Sequence, residues 1–75
     1  MIEKLIKDRI LEALPESEVT VSCPDGVHCD VLVRAKQFQG LKRLEQHRLV
    51  MNAVQAELNQ NIVHALGVKT EVLDG

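Results

Sequence analysis

The chain has 75 residues, of which 45% are hydrophobic and 27% charged, and a formal net charge of −2 at pH 7. That length fits one domain, residues 1–75, near the lower end of what buries a self-sufficient core, and the composition is that of a chain folded throughout. No apolar stretch approaches the roughly 20 residues of a membrane span, and residues 1–14 interleave charge with apolar positions where a signal peptide would carry a hydrophobic block. A cytoplasmic protein without membrane association is expected. Two cysteines are too few for a disulfide scaffold, so in a reducing compartment Cys23 and Cys29 are expected to rest as thiols.

Ile2, Leu5, Ile6, Ile10, Ala13 and Leu14 recur at helical spacing among Lys4, Lys7, Asp8 and Glu12, which predicts an amphipathic helix over residues 2–14. Pro15 ends it by pushing Leu14 out of the helical region. Val19, Val21 and Cys23 then alternate with polar residues, as do Cys29, Val31, Val33 and Ala35 after a Pro24-Asp25-Gly26 turn, which predicts a β-hairpin over 18–36. The two-residue period sends both cysteines inward with the valines and His28 outward.

Leu44, His47, Met51, Val54 and Leu58 follow at gaps of three and four, predicting a second helix over about 42–58 with these residues on its apolar face. Asn59-Gln60-Asn61 interrupts it, Ile62 and Val63 suggest a further short turn, and Leu66, Val68, Thr70 and Val72 alternate as a last strand near 66–73. The order α-β-β-α-α-β implies an α+β fold, a three-stranded sheet with its helices on one face. Leu32 and Leu73 fall on the opposite face.

Chemistry has few places to sit. There is no glycine-rich phosphate loop, no nucleophile elbow and no Cys-x-x-Cys pair, and Cys29 and His28, adjacent on a strand, point apart, so an enzyme is not expected. The same parity denies the segment Cys23–Cys29 the convergent ligands of a zinc knuckle. Of the three histidines, His47 lies on the apolar stripe of the second helix and reads as a hydrogen-bonded packing residue. His28 and His64 sit at strand ends, where pairing of the third strand beside the second would bring their imidazoles together on one edge of the sheet. Charge is uneven: residues 1–30 carry three basic and seven acidic side chains, whereas Arg34, Lys36, Lys42, Arg43 and Arg48 face only Glu45 within 34–48. Such a segment steers phosphates or an acidic protein surface.

The stretch from Phe38 to Val50, with Phe38, Gly40, Leu44, His47, Arg48 and Val50, together with His64-Ala65 and the strand beginning at His28, resembles the signature of the BolA-like family over nearly the whole chain. The resemblance implies a fold similar to the class II KH domain, with Phe38, Gly40 and His47 as structural positions. It also implies a non-enzymatic partner of a monothiol glutaredoxin. The two proteins share a [2Fe-2S] cluster in iron–sulfur trafficking or iron and stress regulation, with His64 the principal ligand and His28 the second, or Cys29 in its place. The glutaredoxin supplies its own cysteine and a bound glutathione, and the isolated chain, a monomer or weak homodimer, carries no cofactor.

The alternative the resemblance offers is a DNA-binding regulator of stress response and morphology, using the loop around Gly40 and Arg34, Lys36, Lys42, Arg43 and Arg48 on duplex phosphates. Two departures from the family pattern bear on this. Gln46 stands where relatives usually carry arginine, which removes a positive charge from the helix start. Cys29 stands where phenylalanine is common, in keeping with an inward position. The single aromatic residue, Phe38, leaves no stacking platform for single strands.

Overall fold

The computed structural model describes residues 2–26, 28–60 and 65–74. Helix α1, Ile2–Ala13, buries Ile6 and Ile10, with Leu14 buried just beyond its end, as the apolar spacing requires. Strand β1, Glu18–Ser22, pairs antiparallel with β2, His28–Ala35, from Glu18 opposite Arg34 to Ser22 opposite Asp30. Gly26, at φ +80°, closes the connecting turn by donating its N–H to the Cys23 carbonyl at 3.1 Å.

After β2 the chain makes a 3-10 turn, Lys36–Phe38, whose Phe38 ring is fully buried, and Gly40 at φ +81° redirects it. Helix α2, Arg43–Ala53, starts where Glu45 Oε1 accepts the Lys42 N–H at 3.1 Å, half of a capping box. A short helix α3, Gln55–Asn59, follows, and β3, Ala65–Val72, completes the sheet. The order is β1-β2-β3, with β3 parallel to β2 from His28 opposite Ala65 to Ala35 opposite Val72. Among the described residues the architecture is therefore the expected α+β arrangement, three α-helices and a three-stranded mixed sheet.

The core gathers on one face of the sheet. Val19, Cys29, Val31, Val33 and Ala35 point into it and meet Ile6, Ile10, Phe38, Val50 and Val54. The other face is open, a shallow trough lined by Thr20, Ser22, Asp30, Leu32, Gly67 and Lys69. No helix among the described residues is long and apolar enough to cross a membrane.

Two expectations about the second helical region need correction. It is not continuous over 42–58: the chain breaks at Val54, whose φ of −113° and ψ of 17° leave the helical region, so the third helix precedes residue 60. The further turn expected at Ile62 and Val63 lies outside the described residues. The buried face is also not Leu44, His47 and Met51. Leu44 is 61% exposed, and the residues turned inward are Gln46, Val50, Val54 and Glu57. The polar members of that row have partners, fully for Gln46 and at one of two carboxylate oxygens for Glu57. Glu57 Oε2 lies 3.5 Å from Arg9 Nε on α1. Gln46 Nε2 donates to the Leu41 carbonyl at 2.9 Å and, at 3.5 Å, to that of Phe38. Its Oε1 accepts the Thr70 hydroxyl of β3 at 2.6 Å.

Gln46 thus clasps α2 to the preceding loop and to the last strand, a packing role that a count of charge does not reveal. Removing the amide strands a buried hydroxyl, so Gln46→Ala is expected to lower stability by about 2–3 kcal/mol. A urea titration measures this, and Thr70→Val in the Gln46→Ala background should recover part of the loss by removing the orphaned group.

Candidate functional site

The hairpin mouth is where β1 ends, β2 begins and β3 begins beside it. The antiparallel register that sets Ser22 opposite Asp30 sets Cys23 opposite Cys29 as the next inward pair. Their Cα atoms are 4.2 Å apart and their sulfurs are bonded. This overturns the expectation of two free thiols. That expectation weighed the redox compartment, whereas the turn decides the geometry: it puts two inward-facing cysteines directly across the ladder, where the spacing of a non-hydrogen-bonded pair, about 4.5 Å, suits a bridge. Both residues are buried, as the strand parity indicated. Cys29, the alternative cluster ligand, is in this state a bonded sulfur turned into the core and presents no thiolate.

His28 is on the outward parity, with 61% of its side chain exposed. Asp25 grips it twice. One carboxylate oxygen accepts the His28 backbone N–H at 2.7 Å and the other lies 2.5 Å from ring Nδ1. A carboxylate only accepts, so Nδ1 carries the proton, and in the neutral ring the lone pair resides on Nε2, the atom suited to a soft or borderline metal. Sequence reasoning took Asp25 as a turn former alone. The signal was present in its position three residues before His28, since aspartate side chains in turns habitually accept backbone N–H groups a few residues on.

In the β2–β3 ladder His28 is directly opposite Ala65. The expected condition for an approach of the two imidazoles, a third strand beside the second, is therefore met in the topology. His64, the residue before Ala65, lies outside the described residues. Among the described residues no three His, Cys, Asp or Glu side chains gather into a metal-binding group.

The basic residues do not form one surface. Arg34 lies on the sheet, where its Nη1 donates to Glu18 at 2.9 Å and its Nε comes within 3.2 Å of Glu71, near enough for an ion pair though not aligned as a hydrogen bond. Lys36 is exposed at the 3-10 turn, while Lys42, Arg43 and Arg48 are exposed around the first turns of α2. His47 is half-buried on α2, one position off the buried row.

If Asp25 sets the ring, Asp25→Ala should shift His28 away from the Nδ1–H form toward the Nε2–H tautomer that an unconstrained histidine side chain prefers in water. Nitrogen-15 chemical shifts of the ring read that ratio. An unchanged ratio removes Asp25 from the role.

The comparisons with known proteins concern the family and the fold. A family model described as BolA-like protein matches residues 2–74. An uncharacterized bolA-like protein of Schizosaccharomyces pombe is 37% identical over 75 residues, an alignment covering 96% of this chain and 63% of the relative, so the chain spans under two thirds of that protein's length. A solved bolA protein homologue from Coxiella burnetii superposes with a TM-score of 0.76 at 37% identity, covering 89% of this chain and 85% of that one. BolA1 from Arabidopsis thaliana, at 22% identity, shares the fold, with a TM-score of 0.81 over 93% of this chain and 89% of its own. With its sheet order, its hairpin and a family match running from residue 2 to residue 74, the chain belongs to the BolA-like family.

Proposed function

We propose that this protein is a non-enzymatic partner of a monothiol glutaredoxin and shares a [2Fe-2S] cluster with it, His64 and His28 being the ligands this chain contributes. The observation that carries the reading is His28 itself: an exposed imidazole held by a carboxylate at Nδ1 and set in register with Ala65, the neighbour of His64. Metal-ligating histidines are commonly oriented in this way, through an outer carboxylate that fixes the tautomer. The donor set fits iron, because imidazole suits it and the competing sulfur of Cys29 is occupied by its bridge.

Two imidazoles supply half of the four ligands a two-iron cluster takes, so the other half comes from a second molecule, here the glutaredoxin cysteine and its glutathione. When bound, the cluster supplies iron–sulfur cargo and a one-electron couple, and imidazole in place of thiolate raises its potential. The chain's own residues orient a donor at the exposed end of the sheet. Lys42, Arg43 and Arg48 on α2 steer an acidic partner surface.

The test mixes the protein with a cluster-loaded monothiol glutaredoxin and follows the visible circular dichroism. His64→Ala is expected to remove the distinct spectrum of the mixed complex and His28→Ala to weaken it, with Cys29→Val falling no further than His28→Ala. Loss with Cys29→Val while His28→Ala stays intact would make the sulfur the ligand and sink the assignment.

The combined change Lys42→Glu and Arg43→Glu should slow association by about tenfold at low salt while leaving the thermal midpoint in place, since exposed charge sets on-rate more than stability. Stopped-flow mixing reads the rate. A duplex bound tightly at physiological salt and released by the same two changes would favour the DNA-binding reading instead.

A further inference from the structure

In the reading above the Cys23–Cys29 bridge serves only to occupy the Cys29 sulfur. It encloses only five residues, among them Asp25 and His28. Closing so small a loop restrains the unfolded chain little compared with a long one. The hairpin beneath is already fixed by five residue pairs, Glu18–Arg34 to Ser22–Asp30, and by a core centred on Ile6, Ile10, Val33 and Phe38. The bridge therefore acts locally, and what it restrains is the mouth of the hairpin. Both of its cysteines are buried, but they differ in setting. Cys29 is on the central strand opposite Leu66 of β3, whereas Cys23 lies just past the end of the edge strand β1, next to the exposed Pro24, Asp25 and Gly26, so a local opening of that turn uncovers its sulfur first.

We propose that Cys23–Cys29 is a thiol–disulfide exchange site, and that its redox state sets how firmly the hairpin presents Asp25 and His28. A thiolate of a small thiol such as glutathione, or of a dithiol reductant, attacks Cys23 Sγ at the sheet edge. The Cys23–Cys29 bond breaks, and its electron pair leaves on the Cys29 sulfur, which takes a proton inside the core. A second thiolate then attacks the external sulfur of the mixed disulfide, and the Cys23 sulfur departs and is protonated. The protein gains two electrons and two protons, and two reductant thiols leave as one disulfide. With the covalent tie gone, the turn loses the bond that joins Cys23 to the ladder of β2 with β3, so His28 samples more orientations while both strands stay paired. This inference does not depend on the cluster, because every step uses the free protein and a thiol.

The experiment equilibrates the free full-length chain in glutathione buffers from fully reduced to fully oxidised. Intact mass then counts the two hydrogens gained, and hydrogen exchange is followed residue by residue. The expected result is a two-electron transition within the glutathione range. In the reduced form, exchange at Asp25, His28 and Cys29 should rise by about tenfold or more while Val31–Ala35 and α1 keep their protection. The double change Cys23→Ser and Cys29→Ser should show that faster pattern in every buffer, and if it fails to fold, the reduced natural chain decides alone. A bridge that opens only on global unfolding, two free thiols in the oxidised buffer, or reduction without any change at Asp25 and His28 would each overturn the proposal. The cluster ligands are read separately, by the spectra of the mixed complex, so failure of this proposal and failure of the ligand assignment are distinguishable.

Discussion

The parallel pairing of β3 with β2 is the constraint from which the rest of the structure follows. Parallel neighbours begin at the same end of the sheet, so the start of β3 at Ala65 falls beside the start of β2 at His28. An antiparallel third strand would have put Val72 there. Parallel strands also cannot be joined by a tight turn, and the chain must cross back over the sheet between Ala35 and Ala65. The 3-10 turn, α2 and α3 make that crossing, and their apolar residues Phe38, Val50 and Val54 close the core over Val31, Val33 and Ala35. Gln46 secures the crossing by joining α2 to the loop behind it and to Thr70 on the strand ahead. The candidate site is thus a product of topology: it lies where two strand starts meet a hairpin mouth.

This dependence explains what was legible in the sequence. Helix α1 and the hairpin are local structures with strong periods, and their bounds emerge within a residue or two of the expected ones. The burial of both cysteines and the exposure of His28 follow from the same count of two. The inner face of α2 was not legible, because a count of apolar residues treats glutamine and glutamate as outward. Gln46 is buried because Thr70, distant in sequence, and the loop carbonyls satisfy it, and Glu57 because Arg9 of α1 faces one of its two oxygens. Leu44 had the spacing of a core residue and is exposed. The break at Val54 carries neither glycine nor proline to announce it.

Charge is legible in sequence only as a sum. Residues 34–48 carry five basic side chains and one acidic, yet a local sum in sequence is not a patch in space. Arg34 lies between Glu18 of β1 and Glu71 of β3, two strands that flank it only in the folded sheet. Exposed pairs of this kind add little to stability. Their consequence here is to compensate one charge of the basic run and leave Lys42, Arg43 and Arg48 as the group concentrated on α2. A surface of that size is better suited to guiding an acidic protein than to neutralising a long stretch of duplex, for which affinity grows with the number of phosphates contacted.

The hairpin mouth combines two tethers of different kinds on one short segment. Asp25 acts on orientation: it fixes which nitrogen of His28 holds the proton and which the lone pair. The disulfide acts on closure, holding β1 to β2 at the last inward pair before the loop. Both lie at the margin of the core, where the cysteines close its end, while the fully buried side chains Ile6, Ile10, Val33, Phe38, Val50 and Val54 lie deeper in the fold. A domain of this size has little stability to spare, and a segment that changes state within its core would endanger the whole. Placing both tethers beyond the last pair of the β1–β2 ladder separates the two demands. The sheet stays fixed, and any variation in how the imidazole is presented is confined to a few residues at its end.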